Sequence, residues 1–327
     1  MKKSIFSILA LTVLFTSCEK DNFKPDIPNN VYVAGVKLTT NWFNQSDAIL
    51  WNNGKSTLLN NDGGHAKSVF VLGNDVYVAG QVYGYNYSIA TLWKNGKAQN
   101  LYEGDCFPRA NSVFVAGNDV YVAGEKEGSP TLWKNGIAQK LADSGYAYSV
   151  CVANDNVYVA GFTLSCGGKL WINGIEQEIE RLDVVRSVFI SNNDVYLVGE
   201  DVSQGYSVVT LWKNGEIQYL TNEDTYGFGY SVFVSENNVY VAGSERNEGT
   251  GSGYRHVAKV WKNGIPQNLT DGTEDAYAHS VFVSGNDVYV VGKQEGVAKL
   301  WINGKVHNLN GRTKRNSAEA FSVFVTN

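Results

Sequence analysis

Seven side chains occupy one place relative to a recurring serine, and they are the residues of this chain best suited to hold a ligand. They are Lys67, Asn111, Tyr148, Arg186, Tyr230, His279 and Phe321, each directly before the serine that opens a copy of Ser-Val-Phe-Val or a close variant. The serine never changes, while the residue before it differs in almost every copy. A ligand-reading ring would look like this, with aromatic faces beside a few polar groups. The pattern is equally open to a plainer reading, in which the position is merely unconstrained.

Other chemistries leave no local signature. There is no phosphate loop, no H-E-x-x-H, no G-x-S-x-G and no paired C-x-x-C, so no catalytic residue and no cofactor is assigned. His65, His256 and His279, with Asp62 or Asp275, carry donors that suit a metal. They come from different repeats with nothing to make them converge, so no metal site is assigned. The acidic loop Asp271-Gly272-Thr273-Glu274-Asp275 lacks the EF-hand spacing. The net charge of −5 comes with no basic run, which argues against a nucleic-acid partner, since phosphate binding needs clustered positive charge.

What must position the ring is a fourfold strand unit repeated seven times. The serine word begins at positions 68, 112, 149, 187, 231, 280 and 322. A second word, as in Val76-Tyr77-Val78-Ala79-Gly80, ends in glycine at 35, 80, 124, 161, 199, 243 and 292. A third, as in Trp93-Lys94-Asn95-Gly96, starts with tryptophan at 51, 93, 133, 171, 212, 261 and 301. The glycines recur at intervals of 45, 44, 37, 38, 44 and 49 residues, the length of a four-stranded propeller blade. Abundant Val, Tyr and Trp with 34 glycines and five prolines suit strands and tight turns. The fold class is therefore all-β, a seven-bladed β-propeller of four-stranded antiparallel blades over 30–327.

Within a unit, a short turn joins strand A (the serine word) to strand B (the glycine word). Strand C ends at the tryptophan and turns through Asn-Gly, a strong hairpin signal, into a short strand D. The repeats begin at strand B, with Val31-Tyr32-Val33, and finish at a lone strand A, Ser322-Val323-Phe324-Val325. Pairing the two completes a seventh blade and removes two open sheet edges.

Positions shared by all blades belong to the fold. The serine hydroxyl is placed to bond a neighbouring backbone, and the glycine allows close backbone approach. Phe70, Phe114, Phe189, Phe233, Phe282 and Phe324 should pack between blades, with Cys151 standing in as a small apolar residue. The seven tryptophans sit at the tight-turn end and read as interblade packing. The length variation lies in the B–C and D–A connections, on the opposite face. Function on a rigid scaffold tends to sit in such loops, where Trp42, Phe43, Tyr83, Tyr85, Tyr87, Phe107, Tyr146, Tyr206, Tyr226, Phe228, Tyr254 and Tyr277 cluster. Cys106 and Cys166 fall on that face and are a candidate disulfide whose geometry the sequence leaves open.

The first 17 residues carry the basic start and short apolar run of a secretory signal peptide. Leu14-Phe15-Thr16-Ser17-Cys18 resembles the lipobox of bacterial lipoproteins. The resemblance implies acylation of Cys18, palmitate included, and a membrane partner reached through the lipid, with 18–29 as linker. Glu19 after the cysteine implies the outer membrane of the cell envelope, on its periplasmic or its surface side. The blade words, from about 30 to 327, resemble the HAF-type extracellular repeats of bacterial proteins, which implies an exported propeller and no particular activity. The expectation is a binding or interaction module whose variable loop face meets a glycan, peptide or partner protein. A metal-assisted polysaccharide lyase or hydrolase, and a purely structural surface lipoprotein, are the alternatives.

Overall fold

The computed structural model describes residues 27–28, 30–38, 46–60, 63–165, 167–202, 205–247, 253–309 and 317–326. Cys18, Trp42, Phe43, Asp62 and Cys166 lie outside them, and so do the readings that rest on those residues. The described residues form twenty-eight strands in seven antiparallel four-stranded sheets. In blade 1, Ala318–Val325 is strand A, and Val31–Leu38, Ser46–Asn52 and Lys55–Leu58 are strands B, C and D. Strand A of blades 2 to 7 is Gly64–Leu72, Arg109–Ala116, Gly145–Ala153, Val184–Ser191, Gly227–Ser235 and Ala276–Ser284.

The seam closes as the repeat count requires. Val33 pairs with Val323 and Ala34 with Ser322, so the blade built from both ends of the domain is as complete as the rest. The serines join all seven blades into one circle. Val113 N–H donates to Ser68 Oγ of the preceding blade at 3.1 Å, Val69 to Ser322 at 3.2 Å and Val323 to Ser280 at 3.3 Å. The same bond joins Val150 to Ser112, Val188 to Ser149, Val232 to Ser187 and Val281 to Ser231. A small hydroxyl suits this place because seven backbones crowd the axis there, and a buried N–H without an acceptor is costly.

Below the serines the phenylalanines pack blade against blade at the axis. Phe70 lies 4.8 Å from Phe114 and 4.9 Å from Phe324, and Phe189, Phe233 and Phe282 continue the annulus. Cys151 fills the one remaining place and is buried. The interblade layers themselves hold the tryptophans. Trp93 packs with Ala34 and Ala48 of the blade before it, and Trp133 with Ala79, Ala90 and Leu92. Six of the seven are fully buried, while Trp212 is half-buried. Indoles that each remove roughly 200 Å2 from water fill the space between twisted sheets.

The tight-turn face is uniform for a local reason. In every blade both residues of the Asn-Gly turn have positive φ, as in Asn95 (52°) and Gly96 (78°), the type I′ geometry that matches strand twist. The asparagine then reaches sideways: Asn95 Oδ1 accepts from Val76 N–H at 2.8 Å and its Nδ2 donates to Asp75 at 2.7 Å. Asn135 with Asp119, Asn214 with Asp194 and Asn303 with Asp287 repeat the donor bond. The recurring Asp or Asn before strand B is thereby accounted for, and the opposite face is left to vary.

Candidate functional site

One irregularity occurs seven times and builds the site. In every blade the A–B pairing slips by one residue just before the serine. Ala66 pairs with Gly80 and Ser68 with Ala79, leaving Lys67 between them unpaired; Val185 and Ser187 pair with Gly199 and Val198, leaving Arg186. The unpaired residue is Lys67, Asn111, Tyr148, Arg186, Tyr230, His279 or Phe321 in its turn. A β-bulge re-aims its extra side chain, and here all seven line one axial cavity of about 430 Å3.

The bulge also explains the glycine that closes the repeated word and lies within strand B, as Gly80 does in Asp75–Tyr83. A Cβ on Gly199 would come within 1.8 Å of the Val184 carbonyl oxygen, and one on Gly80 within 1.9 Å of that of His65. The requirement is steric, because the chain above the bulge leans onto the strand beside it.

Strand A runs further toward the loop face than its serine word implies. Three residues before each serine stands a second tier: His65, Arg109, Tyr146, Val184, Phe228, Tyr277 and Glu319. Tyr146, Phe228 and Tyr277, expected in loops, are therefore strand residues. The signal was present in the small residue between the tiers, Ala66, Ala110, Ala147, Val185, Gly229, Ala278 or Ala320, which is buried each time. Of the second tier, His65 and Arg109 line the cavity, joined by Gln81 and Tyr83 of strand B.

Aromatic stacking stiffens the ring. Tyr148 lies against Phe162 at 5.9 Å and Tyr146 at 6.1 Å, Tyr230 against Phe228 at 6.2 Å, and His279 edge-on to Tyr230 at 4.9 Å. Arg186 sits between tyrosines, 5.7 Å from the Tyr148 ring and 5.4 Å from that of Tyr230. Its Nε donates to both carboxylate oxygens of Glu200, at 2.7 and 2.9 Å, and Gly229 N–H donates to the same carboxylate at 3.2 Å. Burial pushes the Glu200 carboxyl up, against the pull of Arg186.

Lys67 places its Nζ 3.7 Å from the centre of the Phe321 ring, a cation–π contact. Burial holds its ammonium down to about 8, with Glu319 opposing and Arg109 and Lys293 adding to the effect. Glu319 accepts from His279 Nε2 at 2.7 Å and Lys293 Nζ at 3.0 Å. Burial alone would raise its carboxyl; these two partners outweigh that and bring it down to about 2. With Glu319 ionised, Nε2 is the protonated nitrogen of His279, whose own cation is disfavoured by burial. Tyr83 Oη accepts from Gln81 and faces His65 Nδ1 at 3.4 Å, and burial brings the His65 imidazole down to about 4. Asn111 donates to Ala147 O of the next blade at 2.9 Å.

Eleven residues line the cavity: three cations, two neutral histidines, two amides and four aromatics; no carboxylate is among them. Gln81, only 6% exposed, lines it with an Oε1 that has no hydrogen-bond partner among the described residues. Glu125 and Glu200, both buried, and the partly exposed Glu319 are not among the lining residues. A larger depression of about 610 Å3 lies near the rim around Tyr206, Tyr226 and Tyr254. Its lining mixes both signs, with Asp224 and Glu245 beside Arg246 and Lys259; Lys259 pairs with Glu245, and Arg246 stacks under Tyr254. The axial cavity differs in presenting three cations, Lys67, Arg109 and Arg186, with no carboxylate among its lining residues.

Among the other sequence candidates, Asp275 accepts from the backbone N–H of His256 at 2.9 Å, and the His256 ring stacks on Tyr277 at 5.0 Å. No cluster of three or more His, Cys, Asp or Glu able to hold a metal occurs among the described residues. Cys106 is exposed; its pairing with Cys166 rests on a residue outside those described. Tyr85, Phe107 and Tyr254 are exposed on the loop face, away from the cavity lining.

The chain is similar to β-propellers of known structure. The β-propeller domain of the Trilobed protease from Pyrococcus furiosus, described as having an open velcro topology, superposes with a TM-score of 0.56 at 12% identity. The match covers 87% of this chain and 96% of that one. At this identity it speaks for the fold alone. TolB from Acinetobacter baumannii, at a TM-score of 0.44 and 9% identity over 90% of this chain and 65% of that one, is too distant to carry an argument. No protein-family model and no curated protein matches the chain.

Proposed function

We propose that this protein is a non-enzymatic binding module that takes a small polar ligand, or the end of a larger one, into the axial cavity of its loop face. The observation that carries this reading is the convergence of the seven bulged side chains on one cavity, in blades that are otherwise near copies. A fold-driven position would repeat; this one mixes aromatic rings, two cations, an amide and an imidazole. Its volume lies in the lower part of the roughly 300–1,000 Å3 span of ligand sites. The unpartnered Gln81 Oε1 supports the reading too, because buried acceptors are normally satisfied.

Acylation at Cys18 and an outer-membrane location belong to the same proposal. The linker would then leave beside the A–B turns, where Thr326 N–H donates to Asn30 O at 3.1 Å, and the loop face would point away from the lipid. Metabolic labelling with a palmitate analogue tests the anchor, through loss of label in Cys18→Ala. For the site, soluble wild-type protein and the Tyr148→Ala/Tyr230→Ala variant are compared on glycan and peptide arrays. Ligands held by the first should be lost by the second. Equal capture by both would place binding elsewhere.

A further inference from the structure

We infer that the axial cavity selects a sugar ring bearing a carboxylate, a hexuronate at the end of or within a glycan. This rests on the cavity being the binding site, and it names what the site reads. The chain carries a net charge of −5, yet the cavity wall presents Lys67, Arg109 and Arg186 with no carboxylate among the lining residues. Such a reversal of local sign against the overall charge focuses anions at the mouth.

Lys67 and Arg186 stand three blades apart in a ring of seven, on opposing sides of the axis. Each is prepared for a ligand rather than used up by the fold. Arg186 spends only Nε on Glu200, and no hydrogen bond among the described residues takes its Nη groups. The carboxylate and the two flanking tyrosines hold the guanidinium plane in place, which suits fork-like recognition of a planar carboxylate. Lys67 makes no ion pair among the described residues and rests on the Phe321 face.

The uncharged part of the ligand follows from the remaining lining. Gln81 Oε1 needs a donor, which a carboxylate cannot be and a sugar hydroxyl is. The faces of Tyr148 and Tyr230 offer amphipathic surfaces of the kind on which a ring stacks. Cation, acceptor and aromatic face together describe a hydroxylated ring with one acidic group, more closely than a bare anion or an apolar acid.

The test uses the soluble protein and oligogalacturonates of a few units. They are compared by calorimetry with the same oligomers after reduction of their carboxyls to alcohols, and with a tripeptide bearing a free or an amidated carboxyl end. The oligogalacturonate should bind, at least about tenfold more tightly than its reduced form, and lose affinity with added salt. Lys67→Met should weaken it about tenfold and narrow the gap to the reduced form, with an unchanged circular dichroism spectrum. Arg186→Met should do the same where it folds; Lys67 keeps the test valid where it does not. Equal binding of both oligomers, or indifference to Lys67→Met, overturns the charge inference and leaves the site reading intact. Binding of the free-carboxyl peptide in place of the sugar overturns the sugar assignment. If no acidic or neutral probe binds and the arrays are also empty, the site reading itself falls.

Discussion

Arg186 and Glu200 face each other across neighbouring strands of one blade, with Nε shared by both carboxylate oxygens and Glu200 almost wholly enclosed. Arg186 lines the cavity while Glu200 is buried beside it, so the two halves of the pair should respond differently to replacement. Arg186→Met leaves a buried carboxyl already pushed up by burial, which can take a proton. Glu200→Leu leaves a guanidinium that cannot discharge. We expect Glu200→Leu to cost about 3 kcal/mol or more in denaturant unfolding at neutral pH, and the double variant to recover much of that loss. Because the Glu200 pKa is raised by folding, the cost of Arg186→Met should be small at acidic pH and grow as pH rises. Equal and additive losses would mean that the pair is not coupled.

Acid stability should fall in two stages. His65 in the folded protein titrates at about 4, below its ordinary value of 6.5, so between those values the unfolded chain takes up a proton that the fold refuses. Stability is then lost as pH drops from about 6.5 toward 4. Glu319, held at about 2 against 4.5, adds a second loss below pH 4.5. His65→Gln should reduce the upper stage, leaving the share of His279 and His256, whose cations burial also disfavours, and Glu319→Gln should reduce the lower. NMR titration of the His65 ring gives a direct check, and an ordinary midpoint would refute the burial argument.

The glycine that faces the bulge should be irreplaceable. Gly199→Ala drives a methyl to 1.8 Å from Val184 O, so strands A and B must part beside Arg186. We expect a loss of about 3 kcal/mol or failure to fold. Gly73→Ala, in a turn with φ of 59° and open space around it, should cost only about 1 kcal/mol. Similar melting temperatures for the two would remove the steric account.

The serine circle should be no weaker at the seam than elsewhere. Ser322→Ala removes the acceptor of Val69 N–H, and Ser112→Ala that of Val150 N–H. Each should cost about 1 kcal/mol, measured by urea unfolding. A much larger loss for Ser322→Ala would show that closure depends on that single bond.

The sequence by itself determined the architecture, because each blade repeats its own instructions locally: alternating apolar strands, Asn-Gly turns and a tryptophan at each turn. Repetition let one chain show what the fold demands, so the seven variable residues before the serines could be picked out as a ring. The second tier was within reach as well, through the small residues two before each serine, but a run such as His65-Ala66-Lys67 does not announce that a bulge falls inside it. A bulge is a relation between two strands, and it appears only in pairing register. Local sign reversal was beyond the sequence for a similar reason. Lys67, Arg109 and Arg186 come from three blades, and Glu319 holds the same place in its blade as Arg109 does in its own; only the packed sheets bring the cations into the cavity lining and leave the carboxylates out of it.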